Sequence, residues 1–421
     1  MTSKPFSIPG LIFVLALRKR MLQNIPKLQE IPDDLVEMIG ILQMYRKQLK
    51  PLIHSRNRKS FYKSLNKSDI RLRSRKIPRC ALTLSTESAW VKLLQSKNDQ
   101  AMITATGLSY EAFQALNNEF KPLFDSNTPH TKDGMILKKG TDVKSGRKRI
   151  VSSTTCLGLV LMWTRTRGSH VVLQMIFGLT QTAVSIYLRF GRRTLTAVLN
   201  EDPAAQFVIP SEDEIRSYQS SIAEKHPALN GVWCTMDGLK LTVEQAPDTL
   251  VQGRFYNGWT HGHYISSVIV FCPDGTIPIV CYNAPGSMHD SSVAEAGKVY
   301  EKLVDIFDSF GGMCTVDSAF SKGDYPFLIK SSQTDPYGSE ELIINREATS
   351  MRQSAEWGMR ALQGSFPRLK DKFLYEEGGE RKIMLKMMLM LFNYRARKVG
   401  INQIQNTYMP YLETYGNDLL S

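Results

Sequence analysis

Along this 421-residue chain the spacing of apolar residues changes character about halfway. Up to residue 200 it follows a helical period; from 232 it follows short apolar runs and two-residue alternation. The stretch "DQAMITATGLSYEAFQALNNEFKPLF" (99–124) has helical spacing, with Ser109 as N-cap and Phe113, Leu116 and Phe120 on one face. "STTCLGLVLMWTRT" predicts another helix, and "SHVVLQMIF" a second that starts at Ser169. "GLTQTAVSIYLRFGRRTL" predicts a glycine turn and a third helix capped by Thr180. Beyond 231, "GVWCTMDGLKLTVEQ" reads as a strand. "YISSVIVFCPDGTIPIVCYNAPGS" reads as two strands joined by a Pro-Asp-Gly turn. "SSVAEAGKVYEKLVDIF" (291–307) predicts one amphipathic helix, "GMCTVDS" a strand, and "SMRQSAEWGMRALQGSF" (350–366) a helix. The order strand, strand, strand, helix, strand, helix describes an α/β fold with a mixed sheet flanked by helices.

Charge divides the chain differently. Residues 1–150 hold 28 Lys and Arg against 12 Asp and Glu, whereas the whole chain carries a net +13. The rest is therefore nearly neutral, which suggests a basic arm for a polyanion attached to a folded body. The plain alternative is a solubilising tail. Residues 46–79 carry thirteen Lys and Arg and one acid, with Tyr45, Phe61 and Tyr62 among or beside them. Such a segment can neutralise phosphates or act as a nuclear import signal. "KSGRKR" (144–149) looks like a linker. The short helix, the turn near Gly178 and the polar-faced helix carrying Arg189, Arg192 and Arg193 resemble a helix-turn-helix that could dock on DNA; a helical core element fits the pattern equally. The organisation expected is a basic, partly disordered arm over 1–98, a helical DNA-binding region over 99–200 and a catalytic domain over 201–421.

Six scattered cysteines without a C-x-x-C pair argue against a zinc cluster or a secreted disulfide framework. The apolar run "LIFVLAL" (11–17) is too short to span a bilayer and has its charges on the wrong side for a signal peptide, so no membrane role is expected.

Two strands end in the same way: "VWCTMDG" at Asp237 and "GMCTVDSAF" at Asp317. One Asp at a strand end is ordinarily a turn residue. Two of them, with Glu356 on a helix nearby in sequence, suggest more. Clustered carboxylates repel one another and lose hydration, so something must compensate them. Mg²⁺ prefers oxygen ligands and keeps several waters, and two such ions about 4 Å apart can activate water and stabilise a leaving oxygen in phosphodiester cleavage. Adjacent strand ends would bring Asp237 and Asp317 together, with Glu356 supplied by a helix across the sheet, as in an RNase H-like nuclease. Cys314 and Thr315 read as strand packing.

At these residues the chain resembles the DDE transposases of the PIF/Harbinger superfamily, over roughly 100–415. "TMDGLKL" resembles the first Asp block, and "YNGWTHGHYISSVIVFCPDG" an aromatic-rich strand and hairpin. "APGSMHDSSV" is similar to the Gly-Ser-x-x-His-Asp block, "TVDSAF" to the second Asp block, and "RQSAEWGMRALQGSFPRL" to the helix bearing the Glu. "KIMLKMMLMLFNYRARKVGINQI" looks like the closing apolar helix, its methionines serving as core. The resemblance implies Asp237, Asp317 and Glu356 as catalytic residues and metal ligands, with His289 and Asp290 in support. Two departures stand out. "DSAFSKGDYP" replaces the usual Asp-Ser-Gly-Tyr-Pro, and "EWGMR" the usual Glu-Arg-Ala-Phe-Gly, which leaves Glu347 and Glu341 as alternatives to Glu356. Arg352, Glu356 and Arg360 share a helix face, either facing DNA or forming a row of ion pairs.

The resemblance further implies a transposase: a metal-dependent endonuclease and strand transferase with two Mg²⁺ or Mn²⁺ ions. It would act on double-stranded DNA (transposon ends and target) as a homo-oligomer, with a Myb-like accessory DNA-binding protein, in the nucleus. The alternative is a domesticated, catalytically silent nuclear DNA-binding protein. A nuclease directed at RNA is a third, weaker reading.

Overall fold

The computed structural model describes residues 77–129, 149–320, 325–330, 340–375 and 378–409, all within the compact unit Lys76–Ser421. The apolar run 11–17, the basic segment up to residue 76 and all but the last residue of 144–149 lie outside the described residues.

The first half is helical, as the spacing predicts: α1 (Ala89–Ser96), α2 (Asp99–Thr106), α3 (Tyr110–Asp125), α4 (Ser153–Arg165), α5 (Val171–Phe177) and α6 (Gln181–Leu199). The stretch 99–124 forms two helices, α2 and α3. The Thr106 hydroxyl bonds back to Met102 O and accepts from Leu108 N, which ends α2. Ser109 then caps a new helix by accepting from Ala112 N. Ser152 and Thr180 cap α4 and α6 in the same way, and α5 begins at Val171, two residues later than expected, after His170. Trp90 anchors this region, its ring packed against Phe113 and Phe177 with centroids 5.6 and 5.3 Å apart. Next comes α7 (Glu212–Lys225), a helix the apolar spacing did not disclose. Its signal was the capping box, in which Ser211 and Glu214 satisfy each other's backbone N–H.

The second half forms one mixed sheet. Its strands are β1 (Val232–Thr242), β2 (Tyr256–Asn257), β3 (Gly262–Phe271), β4 (Val280–Pro285), β5 (Met313–Val316) and β6 (Leu328–Lys330), with α8 (Thr249–Phe255) before β2. The order is β2-β3-β1-β5-β6, with β4 also on β3. β1 is antiparallel to β3 and parallel to β5. The predicted helix over 291–307 is two helices, α9 (Asp290–Ala296) and α10 (Val299–Phe310). The chain bends where Gly297 packs against Cys281 of β4 and Lys298 takes a left-handed conformation. The helix predicted over 350–366 is the end of a longer one, α11 (Glu340–Ser365); α12 (Gly378–Val399) and α13 (Gln403–Tyr408) follow.

The sheet separates two apolar layers. Leu239, Leu241, Ile269 and Phe271 join α11 and α12 in a core continuous with that of α1–α6. Met236, Val268 and Val270 pack on α9 and α10 from the other side. This explains the composition of α12, which is buried on most sides because α6 covers one flank and β4 another. Among the described residues no single helix is long and apolar enough to cross a membrane.

Asn393 of α12 is fully buried and closes the β3–β4 hairpin. Its Oδ1 accepts from Ile277 N at 2.8 Å, and its Nδ2 donates to Ile277 O and Gln206 O at 2.9 and 3.0 Å. Asn393→Leu leaves the Ile277 N–H and C=O without these partners, while Gln206 O keeps Arg397 Nη1 at 3.2 Å, and should cost about 2–4 kcal/mol, measured by urea unfolding.

Candidate active site

Asp237 and Asp317 stand side by side because β1 and β5 run parallel in a fixed register. Cys234 pairs with Cys314, Thr235 with Thr315 and Met236 with Val316, so the next residue on each strand is the aspartate. The repeated Cys-Thr-hydrophobic-Asp pattern is thus two neighbouring strands reading the same burial. Cys234, Cys314, Thr235 and Thr315 are all buried, and burial pushes the Cys234 thiol well above its ordinary range. β5 ends at Val316, whereas β1 continues to Thr242 because β3 still pairs with it, Asp237 lying opposite Ile269. Asp237 is therefore a mid-strand residue at the point where its parallel neighbour stops, not the strand-end residue expected. Each carboxylate accepts from the following backbone N–H, Gly238 N at 2.7 Å and Ser318 N at 2.6 Å.

The helix α11 crosses this end of the sheet. Its approach depends on Gly358, where a Cβ would lie 2.7 Å from the Phe271 ring of β3. Two residues earlier, Glu356 faces two arginines on its own helix, with Arg352 Nη2 and Arg360 Nη2 each 3.4 Å away. Arg352 Nη1 also lies 3.8 Å from Asp317 Oδ2. The guanidinium of Arg352 therefore links Asp317 to Glu356, and the three residues at 352, 356 and 360 form an ion-pair row, with Arg360 77% exposed. Of the alternatives to Glu356, Glu347 accepts from Ala228 N at 2.7 Å and so ties α11 to the loop before β1, while Glu341 is exposed in the first turn of α11.

Asp290 reaches the same neighbourhood from the opposite face of the sheet. His289 occupies the cap position of α9 without a side-chain cap bond, and is exposed. Asp290 is the first helical residue and lies over Gly238, where a Cβ would sit 2.5 Å from its Oδ2. Its Oδ1 is buried and has no hydrogen-bond partner among the described residues. Burial raises the Asp290 pKa, Lys240 and His289 lower it, and Asp317 raises it. For Asp237, burial is again the main cause of a pKa of about 6; the Gly238 N–H lowers it, Asp317 raises it, Arg352 lowers it and Asp290 raises it.

The predicted helix-turn-helix arginines divide. α5 and α6 meet at 91°, but Arg192 and Arg193 both pair with Glu380 of α12, and Arg192 also lies over the Trp163 ring, 4.9 Å from its centroid. Arg189 is on the exposed side, with Thr182 and Ser185. The reason is helical spacing: positions 192 and 193 fall on the flank of α6 that packs against α12.

The carboxylates of this site lie inside a stretch that matches a known family. Residues 236–393 match the model of the DDE superfamily endonuclease family. The match supports a DDE-type transposase family, runs from the residue before Asp237 to Asn393, and includes Asp290, Asp317 and Glu356. Neither the curated proteins nor the solved structures contain a match to the chain. DDE endonucleases generally use divalent metal ions. Among the described residues, no three or more His, Cys, Asp or Glu side chains are grouped closely enough to hold one. The donor chemistry still suits a hard, water-retaining cation: two adjacent carboxylates, Asp237 and Asp317, the first of them raised in pKa chiefly by burial.

The raised pKa has a consequence for stability. Between the ordinary Asp value of 3.8 and about 6, the folded protein binds more protons at Asp237 than the unfolded chain does. Stability from this group is thus complete below pH 3.8 and falls as pH rises through 6. Asp237→Asn should remove the loss, raising metal-free stability by about 1–3 kcal/mol at pH 7.5 and changing it little at pH 4. Urea unfolding of both proteins in chelator at the two pH values measures this.

Proposed function

We propose that the chain is a metal-dependent DNA endonuclease and strand transferase, a transposase of PIF/Harbinger type. The observation that carries this reading is the in-register pair Asp237–Asp317 inside the DDE match. In this reading Asp237 and Asp317 hold the cations and Glu356 joins them from α11. Divalent ions bound there, two Mg²⁺ or Mn²⁺, would supply Lewis-acid activation of the scissile phosphate and of the attacking oxygen. Asp290, pressed on Gly238, adds negative charge behind the pair and positions β1 against α9, with His289 beside it. Arg352 balances Asp317 and Glu356 in the metal-free protein and is well placed to face a phosphate once a cation takes that role.

The same reading extends to partners. Double-stranded DNA, first the transposon ends and then the target, is the substrate. Arg189, Arg360 and the basic arm are its contacts, while Arg192 and Arg193 act through α12. Handling two ends calls for a homo-oligomer, and a Myb-like protein is the accessory DNA-binding partner. The basic clusters, taken with the transposase reading, support a nuclear location.

Two measurements test the proposal. Purified protein should nick supercoiled DNA with Mg²⁺ or Mn²⁺, and Asp317→Asn should lower the rate at least 100-fold; equal rates would refute it. Mn²⁺ should raise the melting temperature of the wild type, and Arg352→Gln, which removes a competing positive charge, should lower the half-saturating Mn²⁺ concentration several-fold.

A further inference from the structure

Between β1 and β3 the chain makes an excursion that ends in a tryptophan held in solvent. Trp259 is 90% exposed, whereas Trp90, Trp163 and Trp233 are buried and Trp357 is half-buried. Leaving so large an apolar surface in water forgoes a substantial burial free energy. The loop that carries it is nonetheless tightly built. Asn257 is buried at its base, and its Oδ1 accepts from Trp259 N, Thr260 N and Thr260 Oγ1 at 3.1–3.2 Å. Its Nδ2 donates to Gly286 O at 3.0 Å, at the end of β4. His261 follows with a left-handed φ of 50°, and its Nδ1 lies 3.3 Å from the Tyr256 hydroxyl. These bonds fix the backbone on both sides of residue 259 and leave the indole standing clear of the described residues.

The surroundings favour an anionic, aromatic occupant. Residues 249–273 contain no Asp or Glu and carry Arg254, His261 and His263. β1 and β3 extend past the end of β5, and the β2–β3 turn lies beyond Thr242, which pairs with Tyr264. The tip thus projects from the end of the sheet at which Asp237 and Asp317 open.

We propose that Trp259 is a stacking platform for an unpaired nucleobase of DNA bound at the carboxylate site. The proposal rests on the DNA reading given above. Stacking on one exposed ring is tolerant of base identity, because every base presents a π-face, and it requires a base that has left its own stack.

Equilibrium binding of the full chain with Ca²⁺, which can occupy oxygen ligands without the geometry Mg²⁺ supplies, in place of Mg²⁺ separates this from catalysis. The probes are a fully paired DNA duplex and the same duplex with one unpaired 2-aminopurine. Wild type should quench the 2-aminopurine and lose most of its iodide-accessible tryptophan emission on binding, since Trp259 is the most exposed of the five tryptophans. Trp259→Ala should weaken binding of the unpaired-base duplex about 5- to 150-fold while changing the paired duplex little, and Trp259→Phe should restore part of the loss. Equal affinity of wild type and Trp259→Ala for the unpaired-base duplex, or unchanged iodide-accessible emission on binding, overturns the stacking role alone. Failure of wild type to bind either duplex overturns the DNA reading with it.

Discussion

The parallel pairing of β1 with β5 is the constraint on which the rest of the site depends. Hydrogen bonding fixes Met236 opposite Val316, and side chains of in-register parallel neighbours emerge on the same face. Asp237 and Asp317 must therefore lie together wherever the strands end. A slip of one residue would turn one carboxylate into the apolar layer under α9 and α10, at a desolvation cost too large for the pairing to offset. The buried Cys-Thr pairs behind the aspartates pin the register by occupying the interior in matched positions.

Two close approaches complete the geometry. Gly358 lets α11 lie on Phe271 and brings Arg352 and Glu356 to the end of the sheet, while Gly238 makes room for Asp290 on the other face. The result concentrates negative charge in a partly dehydrated place, as the raised pKa values of Asp237 and Asp290 record. Arg352 compensates part of it by spanning Asp317 and Glu356. A site whose carboxylates outweigh its own cations favours binding of an external one, and that imbalance links the fold to the metal-dependent chemistry proposed for it.

The helical half is joined to this arrangement through α12. That helix is apolar nearly all round because it lies between α6 and β4, and Glu380 at its start ties down Arg192 and Arg193. Two arginines that are candidate DNA contacts by sequence thus serve to hold α6 to the sheet domain, and Arg189 is the one of the three left facing solvent.

Sequence by itself determined the elements whose signals are local. Capping residues marked the starts of α3 and α6, the Pro-Asp-Gly turn marked the β3–β4 hairpin, and the twin apolar runs ending in Asp237 and Asp317 marked two strands as neighbours, though not as parallel ones. It also showed that Glu356 shares a helix face with Arg352 and Arg360. Tertiary structure decided what depends on contacts distant in sequence: the bend at Gly297 around Cys281, the continuation of β1 past Asp237 with β3 as partner, the seat of Asp290 over Gly238, and the reach of Arg352 to Asp317. A local pattern records which face of an element is buried, but not which element buries it, so roles that arise from packing partners became visible only in the assembled fold.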